Sequence, residues 1–355
     1  MRRPDLRLPA LLLGGLLSCG RTALEERAAA VGASPGGRSG LAGAGHGGAG
    51  GGVAGATGSA GATSAAPVVL ASGLGCPSRI AVDAAGVYWT DLNRGEVAKV
   101  GLAGGTPIVL ADGQVEPRGI ALDARYVYWV DHAAGTVMKV ELSGGTPTLL
   151  VSGQPTPFDL AIDSNSVYWL NDGVSSSTFG SGSLMKADFE EGMAGSPVAL
   201  SDDEDYPYGI AVDATSVYWT SYSDAVVQKI PLAGGWPSPV ASLYANNNYA
   251  IAVDSTNVYW TDPGSVYKTT IDGEGRIDLI ATSGGYRVPI ALAVDREAVY
   301  WSESGSVIRK ARLAGGAPVT IATQDDSSME GDIAVDASYV YWSNCTDNTV
   351  MRVAK

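Results

Sequence analysis

Side chains that could perform acid–base, nucleophilic or metal chemistry are few in this chain of 355 residues. It contains two histidines, His46 and His132, and three cysteines, Cys19, Cys76 and Cys345. Most zinc, haem and iron–sulfur sites need a cluster of such ligands and are therefore excluded. His46 belongs to a glycine-rich segment, so no Ser/His/Asp or Cys/His set can be assembled in the rest of the chain. We therefore predict no catalytic residue, no metal site and no cofactor.

The charge distribution excludes a further class of partner. The whole chain carries a net charge of −14 at pH 7. Residues 1–66 hold six basic and three acidic residues, which leaves residues 67–355 with a net charge of −17. A domain of this sign repels a phosphate backbone, so nucleic acid is excluded as a partner.

The first 18 residues have the features of an export signal. Three arginines precede an apolar stretch at residues 8–17, which is too short to span a bilayer. The stretch is followed by a Leu-Leu-Ser-Cys-Gly sequence at residues 16–20, which resembles the lipobox of bacterial lipoproteins. The resemblance implies cleavage before Cys19, acylation of Cys19 and anchoring to the outer membrane on its periplasmic or surface side. The alternative is an ordinary cleaved signal beside an incidental cysteine.

Residues 19–66 consist mostly of Gly, Ala, Ser and Thr. Such a segment cannot bury enough apolar surface to offset its chain entropy, so we predict a disordered tether. A random coil of this length has a root-mean-square reach of about 40 Å. The predicted organisation is a lipoprotein signal peptide at 1–18, a tether at 19–66 and one folded domain at 67–355.

The folded region repeats with a period near 40 residues. A Tyr-Trp pair recurs at residues 88–89, 128–129, 168–169, 218–219, 259–260, 300–301 and 341–342. Around each pair lie short segments of β-branched and aromatic residues bounded by Gly, Asp, Ser or Pro, and no segment has a helical period. Four such segments per repeat predict an all-β, seven-bladed β-propeller with four antiparallel strands in each blade.

We label the strands of a blade A to D from the axis outward. Strand A is predicted to carry small and apolar residues because the axis is crowded, and each strand A ends in an aspartate. That aspartate should accept hydrogen bonds from backbone N–H groups of the following turn, which is a structural role. In strand B, Trp219 and Tyr218 should face opposite sides of the sheet, toward different neighbouring blades.

Counting strands by type predicts how the ring closes. The last repeat lacks strand D, whereas residues 67–71 resemble a strand D that precedes the first repeat. We predict that this N-terminal strand completes the last blade. Cys76 and Cys345 should then meet on one face and form a disulfide, as exported proteins permit. Two unrelated free thiols are the alternative.

The recurring Gly-Ile-Ala-Val-Asp and Val-Tyr-Trp-Thr-Asp sequences resemble the YWTD repeats of the low-density lipoprotein receptor family. The resemblance covers residues 67–355 and implies a propeller, although the receptor propellers have six blades. The Asp that closes the family motif, a structural residue between blades, is present at Asp91, Asp131 and Asp262 and is replaced in the other repeats. The family's ligand-binding residues lie outside the repeated motif and do not carry over.

The predicted ligand surface lies on the face with the D–A and B–C connections, around the channel mouth. Its residues are Phe158, Phe179, Tyr206, Tyr208, Tyr222, Tyr249, Tyr286, Asp203 and Asp205. Exposed aromatic residues among acids favour recognition or scaffolding by a monomer that binds a protein or a carbohydrate at the cell envelope.

Three alternatives remain for this face. The acids could simply keep the surface soluble, or Asp202–Asp205 could bind calcium. The competing functional class is an envelope lyase or hydrolase with its active site at the channel mouth, in which His132 would act as acid or base.

Overall fold

Seven antiparallel sheets of four strands form a closed ring, with one additional two-residue strand in blade 3, which confirms the predicted fold class. The computed structural model describes residues 66–173, 182–190, 193–221, 226–242, 250–275, 278–282, 287–304, 307–323 and 331–355. All regular elements in these ranges are strands, and none of them contains a helix that could cross a membrane. The innermost strand of each blade contacts those of both neighbouring blades, so the seven strands A surround one axis.

The strands of each blade follow one another outward from the axis, except that the first strand of the domain, β1 (Val68–Ser72), belongs to blade 7. Blades 1 and 2 contain β2 (Pro77–Val82), β3 (Gly86–Asp91), β4 (Glu96–Gly101), β5 (Ile108–Ala111), β6 (Pro117–Leu122), β7 (Tyr126–Asp131), β8 (Thr136–Glu141) and β9 (Thr148–Val151). Blades 3 and 4 contain β10 (Pro157–Ile162), β11 (Ser166–Asn171), β12 (Gly182–Glu190), β13 (Met193–Ala194), β14 (Val198–Glu204), β15 (Pro207–Val212), β16 (Ser216–Ser221), β17 (Val226–Pro231) and β18 (Ser238–Ser242). Blades 5, 6 and 7 contain β19 (Ile251–Val253), β20 (Asn257–Asp262), β21 (Ser265–Thr270), β22 (Asp278–Thr282), β23 (Pro289–Val294), β24 (Ala298–Glu303), β25 (Val307–Arg312), β26 (Val319–Thr323), β27 (Ile333–Val335), β28 (Tyr339–Asn344) and β29 (Thr349–Ala354).

The two ends of the domain close the ring as predicted. Strand β1 pairs antiparallel with β29, which places Ser72 opposite Thr349. A disulfide joins Cys76 to Cys345, whose Cα atoms lie 4.1 Å apart although 269 positions separate them in the sequence. No blade therefore presents the unpaired sheet edge that an incomplete last blade would expose.

Each interface between blades is built on one tyrosine and one tryptophan from strands B. The tyrosine of one blade and the tryptophan of the next lie in the same buried cluster, and this holds around the whole ring. The pairs are Tyr88–Trp129, Tyr128–Trp169, Tyr168–Trp219, Tyr218–Trp260, Tyr259–Trp301, Tyr300–Trp342 and Tyr341–Trp89. Such large aromatic areas make these seven clusters the main apolar contribution to folding. The alternation predicted for strand B is confirmed.

The aspartate at the end of strand A links its turn to the same tyrosine. In blade 4, Asp213 Oδ1 accepts hydrogen bonds from the backbone N–H groups of Thr215 and Ser216 at 2.7 and 2.8 Å. Its Oδ2 accepts a hydrogen bond from Tyr218 Oη at 2.9 Å. The same arrangement recurs at Asp83, Asp123, Asp163, Asp254, Asp295 and Asp336. The predicted structural role of these aspartates is confirmed, and the tyrosine contact extends it.

Strand C adds a polar link between neighbouring blades. Lys229 Nζ in blade 4 donates a hydrogen bond to the backbone carbonyl of Ile271 in blade 5 at 2.7 Å. Equivalent contacts join Lys99 to Leu142, Lys186 to Leu232, Lys268 to Leu313 and Arg352 to Leu102. The last of these contacts crosses from blade 7 to blade 1, so the polar links also span the closure point.

The third repeat departs from the regular blade in its B–C connection and in strands C and D. Ten residues, 172–181, separate its strands B and C instead of the four in blades 1 and 2, and β12 is longer than the other strands C and continues through a small hairpin with β13. The sequence predicts that the acidic residues Asp202–Asp205 lie in a D–A connection, but β14 continues through Glu204. Glu204 is buried and accepts a hydrogen bond from Trp219 Nε1 at 2.9 Å, so it belongs to the packing between strands rather than to an acidic rim.

The aspartate–tyrosine contact predicts a defined loss of stability in alkali. Burial, together with Asp213, raises the pKa of Tyr218 from 10.0 to about 12. The stability that this contact contributes is therefore complete below pH 10 and is lost as the pH rises toward 12. We expect Tyr218→Phe to lose about 1–2 kcal/mol of unfolding free energy at pH 8, measured by urea denaturation.

The same variant should lose less additional stability than the parent between pH 10 and 12, because it lacks the titrating group. Asp213→Asn is the matched variant, since it keeps an oxygen for the turn and removes the charge beside Tyr218. Equal losses in the parent and in Tyr218→Phe over this interval would contradict the assignment.

Candidate functional site

The first residues of strands A in blades 2, 3 and 4 are held by unusual turns on the D–A face. Glu116, Thr156 and Tyr206 each have a positive φ, between 52° and 56°, and each directly precedes the proline that begins strand A. A residue with a side chain adopts this backbone conformation at a cost of about 1–3 kcal/mol, and such strain concentrates at functional sites. The residues that follow the three prolines are Arg118, Phe158 and Tyr208.

These residues form a cluster of aromatic rings and guanidinium groups at the channel mouth. The ring centroids of Phe158 and Tyr208 lie 5.0 Å apart. The guanidinium carbon of Arg79 lies 5.4 Å from the Phe158 centroid, and that of Arg118 lies 5.1 Å from it. Guanidinium groups at this distance are attracted by the ring quadrupole. All four side chains are partly exposed, so the cluster is packed and yet accessible.

Arg79 is the centre of an ionic network that connects distant blades. It comes from blade 1, whereas its charge partners Asp159 and Asp332 come from blades 3 and 7, and Tyr208 comes from blade 4. Burial opposes the charge on Arg79, but these partners raise its pKa well above its usual range. Asp332 also accepts a hydrogen bond from the backbone N–H of Ile80 at 3.3 Å. The network therefore fixes the side chains at the axis across the closure point of the ring.

Burial dominates the ionisation of the two carboxyl groups in this network. It raises the pKa of Asp159 to about 6, with Asp332 adding to the shift and Arg79 opposing it. It also raises the pKa of Asp332, again against the effect of Arg79. One guanidinium group faces two carboxyl groups here, so protonation of a carboxyl group relieves an excess of negative charge.

His132 lies beside this cluster and between two carboxylates. Its Nδ1 is 3.1 Å from Glu116 Oε2, and its Nε2 is 3.1 Å from Asp172 Oδ2. Its ring also lies edge-on to Phe158, with the centroids 6.4 Å apart. Both ring nitrogens are therefore held in place, which is the arrangement that a positioned acid or base requires.

The structure brings together only part of the predicted ligand surface. Phe158 and Tyr208 lie side by side at the mouth, and Tyr206 lies in the strained turn before Pro207. Asp203 is exposed, and the backbone carbonyl of Asp205 accepts a hydrogen bond from Ser221 Oγ. The remaining predicted residues, Cys19, Phe179, Tyr222, Tyr249 and Tyr286, lie outside the described residues. The ligand surface as a whole stays a prediction.

Strands A carry mostly small and apolar residues, as predicted, but Arg79, Arg118 and Asp159 are exceptions. Small residues occupy the third position of strand A in blades 2, 4 and 6, and Gly119 shows why. A Cβ at position 119 would lie 2.7 Å from the Cα of Asp159, so a larger residue would displace the network. The signal that could have identified Arg79, Asp159 and Asp332 is that they interrupt this series of small residues.

Two other kinds of site, a metal centre and a cleft between blades, have less support from the structure. Within the described ranges, no three His, Cys, Asp or Glu side chains converge closely enough to hold a metal ion. A shallow cleft between blades 5 and 6 is lined by Asp254, Tyr259 and Lys268, among others. Tyr259 donates to Asp254, and Lys268 donates to the carbonyl of Leu313. These polar groups therefore already serve the packing between blades, and the cleft has no chemistry of its own.

Solved structures of known proteins share the fold. Virginiamycin B lyase from Staphylococcus aureus has a TM-score of 0.67 at 12% identity, over 81% of this chain and 98% of that one. The WD40 β-propeller domain of Doa1 has a TM-score of 0.65 at 11% identity, over 82% of this chain and 97% of that one. No protein-family model matches the sequence, and no curated protein matches it closely enough to be a relative. At these identities the likeness shows the propeller fold alone.

The ionisation of Asp159 predicts a measurable pH effect. A raised pKa means that the folded state favours the protonated carboxyl group, so this contribution is complete below about pH 4 and is lost as the pH rises through 6. The stability of Asp159→Asn relative to the parent should therefore increase by about 1–3 kcal/mol between pH 4 and pH 7 in urea denaturation. The exposed Asp112→Asn serves as the control and should show no such change. A constant difference between Asp159→Asn and the parent would contradict the assignment.

Proposed function

We propose that this propeller is a recognition module that binds a partner at the channel mouth through Arg118, Phe158 and Tyr208. The observation that supports it is the partly exposed stack of two aromatic rings and two guanidinium groups. Aromatic residues and arginine are the residue types that contribute most of the binding energy in protein interfaces. The partner class that fits such a surface best is a protein segment, with a carbohydrate as the other occupant.

The strained turns also favour binding. The positive φ angles of Glu116 and Thr156 hold the following side chains in position before any ligand arrives. A surface that is organised in advance loses less entropy when it binds. The cost of the strain is offset by the closed ring, whose strands A cannot relax independently.

We further propose that the module acts at the bacterial envelope, held on the outer membrane by an acylated Cys19 and separated from it by the segment that follows. The support for this part is the sequence of residues 1–66 alone. Several acyl chains on one residue would anchor the protein stably, whereas a single chain gives only marginal binding.

A capture experiment tests the recognition function. The purified domain, residues 66–355, is immobilised and exposed to envelope extracts, and the captured proteins and glycans are quantified by mass spectrometry. Combined Phe158→Ala and Tyr208→Ala should reduce capture of a specific partner at least tenfold, because it removes both aromatic rings.

Trp236→Ala is the matched control. Trp236 is 91% exposed in the hairpin between β17 and β18, at the opposite end of the strands from the mouth, so it offers an aromatic surface of similar kind. Its removal should leave capture unchanged. Equal capture by all three proteins would contradict a binding surface at the mouth.

A lyase is the second candidate, favoured by the placement of His132 between Glu116 and Asp172. One solved neighbour is a catalytically inactive virginiamycin B lyase with quinupristin. If this chain is a lyase, the purified domain should convert quinupristin to a product that is separated by liquid chromatography and identified by its fragment ions in tandem mass spectrometry. His132→Gln should reduce that conversion at least a hundredfold, as expected on losing a general acid or base. Equal conversion by the parent and by His132→Gln would exclude His132 as the catalyst.

A further inference from the structure

We propose that the ligand of the channel mouth presents a carboxylate to Arg118, with an apolar group next to that carboxylate. This inference rests on the proposed recognition function and specifies the chemistry of its ligand. It follows from a difference between the two arginines of the cluster, because one has its charge matched by the protein and the other does not.

The charge of Arg79 is matched within the protein. Two carboxyl groups, Asp159 and Asp332, act on it, and Tyr208 contributes a side-chain hydrogen bond. These partners outweigh the effect of desolvation, so the charged guanidinium group is stable here without a ligand.

The charge of Arg118 is matched only in part. The carboxylate paired with it is that of Glu116, at 3.8 Å between Nη2 and Oε2, which is long for a charge-assisted hydrogen bond. The Glu116 side chain is 50% exposed, and the same Oε2 atom lies 3.1 Å from His132 Nδ1. The Nε atom of Arg118 is buried and has no hydrogen-bond partner among the described residues.

The electrostatic balance at Arg118 agrees with this geometry. Burial lowers its pKa and the neighbouring Arg79 lowers it further, whereas Glu116, Asp172 and Tyr208 oppose these effects only in part. A desolvated cation whose charge is incompletely matched is costly, and an incoming anion that pairs with the exposed part of the guanidinium group offsets that cost. The side chain remains 24% exposed, so a ligand can reach it.

The shape of the surroundings indicates the rest of the ligand. A guanidinium group binds a carboxylate through two parallel N–H···O hydrogen bonds, and stacking on Phe158 limits the rotation of the Arg118 fork. The partly exposed rings of Phe158 and Tyr208 offer apolar area next to that position. A ligand with an aromatic or aliphatic group beside its carboxylate would use both features.

The surrounding charges exclude a polyanion. Glu116, Asp159, Asp172 and Asp332 lie around the two arginines, and the domain as a whole is strongly acidic. A second anionic group on the ligand would meet these carboxylates and be repelled. The site therefore selects a single carboxylate, whether at the C-terminus of a chain or on an acidic side chain.

Three probes separate charge from shape and distinguish the two sources. The first probe, N-acetylphenylalanine, carries a terminal carboxylate. The second probe is its amide, which lacks that charge. The third probe, N-acetylphenylalanyl-aspartate α-amide, keeps only the side-chain carboxylate. Binding to the purified domain is measured by saturation-transfer NMR at concentrations up to about 10 mM, suited to the weak affinity of small ligands. At least one carboxylate probe should bind at least tenfold more tightly than the neutral amide.

Variants then assign the effect to Arg118. Arg118→Gln should weaken binding of the carboxylate probe at least tenfold and leave the amide unaffected, whereas Arg118→Lys, which keeps the charge but loses the fork, should give an intermediate affinity. The control is Arg125→Gln, which changes an exposed arginine in the same blade that pairs with Glu141. Thermal melts of each variant establish that it is folded.

The outcomes distinguish this inference from the proposed function. Equal binding of the acids and the amide, no binding of either acid, or unchanged affinity in Arg118→Gln would overturn the carboxylate assignment. If capture of the partner is lost with the Phe158 and Tyr208 changes but retained with Arg118→Gln, the recognition function stands and this inference fails. If capture is insensitive to both sets of changes, the binding site at the mouth fails as well.

Discussion

The structure depends on the tyrosine and tryptophan that alternate on each strand B. One side chain packs toward the preceding blade and the other toward the following blade, so a single blade leaves large aromatic surfaces uncovered. The hydrogen bond from that tyrosine to the aspartate at the end of strand A also fixes the turn between the two innermost strands. A blade is therefore stable only between two others, and the seven interfaces are satisfied together only in a closed ring.

Ring closure in turn produces the candidate site. Arg79 and Asp332 lie in blades that become neighbours through the pairing of β1 with β29 and the disulfide between Cys76 and Cys345. Because the repeated packing is provided by strand B and by the outer strands, the beginnings of strands A can differ between blades without weakening the interfaces. The charged and aromatic residues of the candidate site lie at these variable beginnings of strands A.

The two arginines of the site differ in how far the protein compensates their positive charge. Arg79 interacts with two carboxyl groups and fixes the axis, whereas the partner of Arg118, Glu116, is distant and shared with His132. The first arrangement serves stability and positioning, since it is complete without a ligand. The second leaves part of the positive charge of Arg118 unmatched at an accessible surface, which is the property expected of a binding residue.

Sequence pattern was sufficient to predict the parts of the fold that repeat. The seven Tyr-Trp pairs, the aspartates of strand A, the missing last strand and the two distant cysteines predicted the fold, its closure and the disulfide, because each depends on local pattern or on counting. It also identified Phe158 and Tyr208 as exposed aromatics. It did not identify Arg79, Arg118, Asp159 or Asp332 as one cluster, because they lie in different repeats and up to 253 positions apart. Only the closed ring brings them to one axis, where burial and mutual charge give them their chemistry.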